Sequence, residues 1–111
     1  MFELEIGETY YMVAYADRDF TMPMIRPLVY VGKNIVEDEK EDRFYFQDTV
    51  SYARYGIAYK TAESLKCEIS SFQKSELGIS LVEQHSLLGI VSEAIEKSNK
   101  LGGTSLPSGS T

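Results

Sequence analysis

The stretch Thr9-Tyr10-Tyr11-Met12-Val13-Ala14-Tyr15 decides the fold class. Aromatic and β-branched side chains dominate it, and these are the types that fit a pleated surface. Alternation along a strand puts Tyr11, Val13 and Tyr15 on one face and Tyr10, Met12 and Ala14 on the other. Apolar groups on both faces need cover on both faces, so the stretch reads as a central strand or a barrel strand.

Working outward, Phe2, Leu4 and Ile6 alternate with Glu3 and Glu5, as a half-buried strand does, and Gly7-Glu8 punctuates the run. Residues 17–24 read as a loop. Pro23 and Pro27 bracket Met24, Ile25 and Arg26 and hold the chain extended there. Residues 28–31 form a third strand, ended by Gly32-Lys33-Asn34, and Arg43-Phe44-Tyr45-Phe46-Gln47 forms a fourth. Asp48 is placed to cap a short helical turn through Tyr52 and Tyr55, with Gly56 just past its end. Residues 57–63 read as an irregular connection. Leu65, Cys67 and Ile69 alternate with Lys66 and Glu68 as a fifth strand. Leu65, Ile69 and Phe72 also fit helical spacing, so both readings of residues 64–72 stand.

The C-terminal end changes period. Leu87, Leu88, Val91, Ala94 and Ile95 make one apolar stripe, with Ser92, Glu93, Glu96 and Lys97 facing water. Ser86 is the expected N-cap; Ser80 and Glu83 have capping-box spacing and allow an earlier start. Gly89 costs the helix about 1 kcal/mol against alanine and is expected where the helix packs closely on the sheet. Lys97 and Lys100 complement the dipole in the last turn. Gly102-Gly103 ends the helix. The expected organisation is a single globular domain over residues 1–101 with a flexible tail over 102–111. The expected fold class is α+β: a small curled antiparallel sheet or SH3-like half-barrel of about five strands with one C-terminal helix.

Composition narrows the function classes. A chain of 111 residues makes one domain of common size. Its net charge of −6 disfavours a phosphate backbone or an anionic membrane as partner, so neither nucleic acid nor membrane binding is expected. Cys67 is the single cysteine and permits no intramolecular disulfide. The first residues carry acid where a secretion signal has base, and no apolar run approaches the roughly 20 residues of a membrane span. The expectation is a cytoplasmic protein.

No catalytic set stands out. His85 is the single histidine, and next to Ser86 in sequence it is expected to cap or pack. Zinc needs more cysteine and histidine than the chain has. The isolated glycines make no phosphate loop. Phe44-Tyr45-Phe46 lacks the basic surround of a base-stacking platform and reads as core strand. No cofactor, metal or catalytic residue is expected.

The most unusual feature is an acidic run beside tyrosines. Glu37, Asp38, Glu39, Glu41 and Asp42, with Lys40 among them, form a solvated hairpin loop by charge repulsion. The run lacks the spacing and turn glycine of a calcium loop. After the aromatic strand come Asp48, Tyr52 and Tyr55, and one helical turn puts the two tyrosines on the same face. Tyrosine rings among carboxylates suit a basic protein partner; the plainer alternative is that Tyr52 packs inward and the acids keep the chain soluble. The expected function is a small acidic protein-binding module, in its sharpest form a toxin-neutralising immunity protein that caps a basic active site. The alternatives are a DNA-mimic inhibitor of phage or plasmid origin and a small ligand-binding or enzymatic barrel, which needs a deep apolar cavity.

The stretch Leu28-Val29-Tyr30-Val31-Gly32-Lys33-Asn34, followed by Tyr45-Phe46-Gln47-Asp48-Thr49-Val50-Ser51-Tyr52, resembles small uncharacterised bacterial proteins that pair such a strand end with a Y-F-Q-D-x-x-S-Y segment. The resemblance implies a bacterial origin and a stand-alone domain. It transfers no functional residue.

Overall fold

The computed structural model describes residues 3–35 and 40–102. Strands β1 (Thr9–Tyr15), β2 (Pro23–Lys33), β3 (Arg43–Asp48), β4 (Ile69–Gln73) and β5 (Leu81–Val82) form one sheet in the order β4-β3-β2-β1-β5. Every neighbouring pair is antiparallel. The sheet curls into a half-barrel. A short helix α1 (Thr49–Tyr55) follows β3, and a long helix α2 (Leu87–Gly102) closes the described chain. The fold is α+β, as the sequence predicts. No helix among the described residues is long and apolar enough to cross a membrane.

Register explains the core. Tyr10 stands opposite Leu28, and Tyr30 opposite Phe46, so the residues of one face meet across strands. Tyr10, Leu28, Tyr30, Phe46, Phe72 and Leu81 form the buried cluster on that face. Phe46 is its centre, edge-on to Tyr10 with ring centroids 6.0 Å apart and to Phe72 at 5.4 Å. Full burial stabilises each such side chain by about 1.5–3 kcal/mol. The alternate positions Val13, Val29, Tyr45, Gln47 and Val82 are buried on the other face. Both faces of the middle strands are covered, as the composition of residues 9–15 requires.

The curl has a local cause. The register of β2 against β3 shifts between Tyr30 and Gly32, which leaves Val31 as a bulge residue. A bulge bends its strand and increases the twist. The Val31 carbonyl accepts a hydrogen bond from the Tyr59 hydroxyl at 2.9 Å. Gly32 follows at φ 151°, and a Cβ there would lie 3.3 Å from that same hydroxyl.

β2 begins earlier than expected, at Pro23. Its partner β3 pairs with it only from Leu28 to Lys33. Residues 23–27 therefore pair with β1 alone, where a missing N–H is tolerated. The connecting loop is tied by Asp17, whose carboxylate accepts the Thr21 N–H at 3.0 Å and the Met22 N–H at 2.9 Å. The Thr21 hydroxyl bond is the main cause that lowers the Asp17 pKa below its ordinary value.

Several expectations need correction. The alternation from Leu4 to Ile6 forms no strand, and Phe2 lies outside the described residues. Among the described residues no strand pairs with Leu4 to Ile6; the Tyr10 hydroxyl instead accepts the Glu5 N–H at 2.9 Å, and Leu4, partly buried, packs against the core. Residues 64–66 are a 3-10 turn with Leu65 fully exposed, and the strand begins later, at Ile69. Phe72, edge-on to Phe46 of β3, is what anchors it. Cys67 ends the 3-10 turn, half-buried, rather than lining a strand face. β5, only two residues long, was not expected; Leu81 and Val82 are nevertheless among the buried core residues.

The C-terminal helix also departs from expectation. A 3-10 turn, Gln84–Ser86, runs straight into α2, so Ser86 lies within helical structure instead of capping it. Ala94 is 3% exposed, but Leu88, Val91 and Ile95 are 78%, 38% and 56% exposed. The expected single inward stripe is divided between a packed line and an open one. A Cβ at Gly89 would meet no atom of another element within 4 Å, so Gly89 serves no close approach to the sheet. The expected tail lies outside the described residues from Gly103 onward.

Candidate functional site

The acids and tyrosines singled out from the sequence fall into two places. Asp42 and Asp48 flank or end the six-residue strand β3, at opposite ends of it, which puts them roughly 20 Å apart at the rise of an antiparallel strand. Glu37, Asp38 and Glu39 lie outside the described residues; Glu41 is exposed beside Asp42.

Asp42 serves the hairpin neck. It accepts from the Asn34 side-chain amide at 3.0 Å and pairs with Lys33 at 3.2 Å. Asn34, at φ 51°, also accepts the Arg43 N–H at 2.7 Å. The Asn34 bond first, and Lys33 second, hold the Asp42 carboxyl below its ordinary pKa.

Asp48 caps α1 as predicted. One carboxylate oxygen accepts the Ser51 N–H at 2.8 Å; the other accepts the Ser51 hydroxyl and the Glu68 N–H, the latter at 2.9 Å. Tyr52 and Tyr55 are both half-buried. The Tyr52 hydroxyl lies beside Gly7, and the Lys66 ammonium sits 5.8 Å from the Tyr55 ring centre. Both aspartates are thus committed to the fold.

Sequence reasoning missed Gln47. It is fully buried, yet its amide is satisfied: it donates to the Ser51 hydroxyl at 3.0 Å and the Gly56 carbonyl at 2.9 Å. It also accepts the Ala58 N–H at 2.9 Å. One side chain thereby fastens the whole 51–58 connection onto the sheet. The signal was a lone amide at the end of an aromatic strand.

Sequence reasoning also missed a cleft. Glu3, Glu5 and Glu8 before β1 meet Glu83 after β5, around an open cleft of about 860 Å³. The β1–β5 pairing brings the two segments together, with Tyr11 opposite Val82. Tyr10 lies at the floor, His85 and Leu88 at the rim, and no lysine or arginine lines it. Burial pushes the Tyr10 phenol above its ordinary value; the bond from the Glu5 N–H opposes this, and the charges of Glu5, Glu8 and Glu83 add to the rise. The phenol therefore remains a neutral hydroxyl at physiological pH. His85 is exposed, with Nδ1 3.9 Å from Glu83, beyond a hydrogen bond. The arrangement supplies negative potential and one exposed apolar anchor. It holds no nucleophile activated by a base. Among the described residues, no three His, Cys, Asp or Glu side chains gather as a metal site. The legible signal was the spacing of glutamates at 3, 5 and 8; Glu83, distant in sequence, gave none.

No protein-family model, curated protein or solved structure matches the chain.

Proposed function

We propose that the protein is a small acidic binding module that receives a basic segment of a protein partner in the cleft between the residues before β1 and the start of α2. The observation that carries this reading is the convergence of Glu3, Glu5, Glu8 and Glu83 with no lining lysine or arginine. Unopposed carboxylates around a concave surface raise the local potential and steer cationic groups toward it. Leu88 at the rim supplies an apolar contact for the same partner. The sharpest form of the proposal is a toxin-neutralising immunity protein that covers a basic active site. The acidic loop is a weaker candidate for this role, because Asp42 already spends its carboxylate on Asn34 and Lys33.

The test compares the native chain with a variant in which Glu3, Glu5 and Glu8 are all replaced by lysine, as baits in the same lysate at low and high salt. A protein held by the native chain at low salt, released at high salt and lost by the variant supports the reading. Equal retention by both baits overturns it. The three glutamates are exposed, so the variant is expected to fold.

A further inference from the structure

The borders of the sheet are not treated alike. At β5 the chain closes its own edge: the Leu81 carbonyl accepts the Gly78 N–H at 2.7 Å, and the Glu83 carbonyl accepts the Ser86 N–H at 3.0 Å. The first residues of β2 overhang β3. The bond from the Tyr30 N–H to the Glu8 carbonyl fixes the alternation there, so residues 24, 26 and 28 bond to β1 and residues 23, 25 and 27 point outward. Pro23 and Pro27 occupy two of those three outward positions and offer no N–H to a further strand.

The outer edge of β4 carries no such guard. The Asp48 N–H bonds to the Glu68 carbonyl at 3.1 Å, and the register continues with Ile69 opposite Gln47 and Ser71 opposite Tyr45. Bonded pairs alternate with unbonded pairs along an antiparallel ladder. Ser70 and Phe72 therefore bond to β3, while the N–H and C=O groups of Ile69, Ser71 and Gln73 point away from it. Gln73 shows that direction, because its N–H donates to the Glu76 carboxylate at 2.9 Å. Among the described residues, no hydrogen bond reaches the outward groups of Ile69 and Ser71, and β4 makes its extensive contacts with β3 alone. Ile69 is 41% exposed. Donors and acceptors at strand spacing are matched group for group by another extended backbone.

We propose that this edge pairs with the same edge of a second copy of the chain, antiparallel about a two-fold axis at Ser71. Each Ser71 N–H then donates to the Ser71 carbonyl of the other copy, and each Ile69 N–H to its Gln73 carbonyl. The outward N–H groups of one copy meet outward carbonyls of the other, as an isologous contact requires. The same register sets Glu68, which also holds Arg26, opposite Lys74 of the second copy. Side chains directly opposite in such a pair share a face, so the opposite charges attract. An axis at Ser70 instead would set Lys66 against Lys74, and would run Gln73 into Cys67, whose N–H is already tied to the Ser64 carbonyl. β4 is five residues long, so the contact is small, below about 1,200 Å² in total, and the association is weak and concentration-dependent. β4 is the sheet edge opposite β5 and the acid-lined cleft, so the inference does not rest on the proposed use of that cleft.

Sedimentation velocity across a dilution series reads it directly. The native chain should move from monomer toward dimer as concentration rises. Ser71→Lys and Ser71→Glu each set like charges against each other on the axis, and each alone should weaken the dimer about tenfold or more. An equal mixture of the two variants should associate again, because lysine then faces glutamate. Circular dichroism should show the native spectrum for both. A readout free of substitutions is hydrogen exchange in the native chain: the Ile69 and Ser71 amides should exchange more slowly as concentration rises. A monomer at every concentration overturns the proposal. So does a dimer indifferent to both variants, a mixture that associates no better than its components, or exchange at Ile69 and Ser71 that does not respond to concentration.

Discussion

In β3, Phe46 and Gln47 are fully buried and Tyr45 nearly so; in α2, among Leu88, Val91, Ala94 and Ile95, Ala94 alone is. Both elements have a strong apolar pattern. They differ in what surrounds them. β3 has β2 on one edge and β4 on the other, and the chain from α1 to Ala58 covers its second face. α2 packs along β2 with one line of side chains and, among the described residues, has nothing against its next line. Pattern states which groups gain by leaving water, but burial needs a surface to receive them.

The comparison can be broken most severely at Phe46. Phe46→Ala should cost about 3–5 kcal/mol, because three neighbouring rings lose their partner at once. Urea denaturation followed by circular dichroism measures it; a cost near that of a surface change would mean the cluster is not the core.

Gln47→Leu probes the polar half of β3. The shape is nearly kept, but the buried Ala58 N–H and the Gly56 carbonyl lose their partner. The expected loss is about 2–4 kcal/mol, with early hydrogen exchange at Ala58. A neutral or stabilising result would show that the connection holds itself in place.

On α2, neighbouring positions should respond differently. Ala94→Leu forces bulk into a closed site and should cost about 1–3 kcal/mol. Ile95→Gln should stay within about 0.5 kcal/mol in dilute solution. Equal costs at the two positions would erase the distinction between the packed line and the open one.

The smallest effect is expected at the hairpin neck. The folded pKa of Asp42 is lowered, so the carboxylate favours the fold above the ordinary value of about 3.9 and loses that contribution as pH falls through the lower folded value. The Asn34 side-chain amide and the Arg43 N–H should shift together in an acid NMR titration. Asp42→Asn should abolish that step; its persistence would assign the transition to another group.

Much of the fold was legible because its signals are local. The apolar groups on both faces of residues 9–15, the Asp48 cap and the aromatic run at 44–46 each report on their own segment. The β4 boundary was misplaced because Leu65 and Ile69 alternate like a strand while the anchoring contact is Phe72 on Phe46, made through pairing with β3 outside the window. β5 escaped because two residues carry no period at all. The site was less legible. The acidic loop drew attention as a block of charge, whereas the cleft gathers its glutamates from two segments joined only by the β1–β5 pairing.

By itself the sequence determined the fold class, the helical C-terminal end and the acidity of the surface, because each follows from composition and from periods of two or about 3.6 residues. Tertiary structure alone decided which acids converge, which side of α2 is covered, and that Gln47 is a fastening rather than a surface amide. Those outcomes depend on strand order and register, which bring together groups from distant segments, and a local pattern carries no record of its distant neighbour.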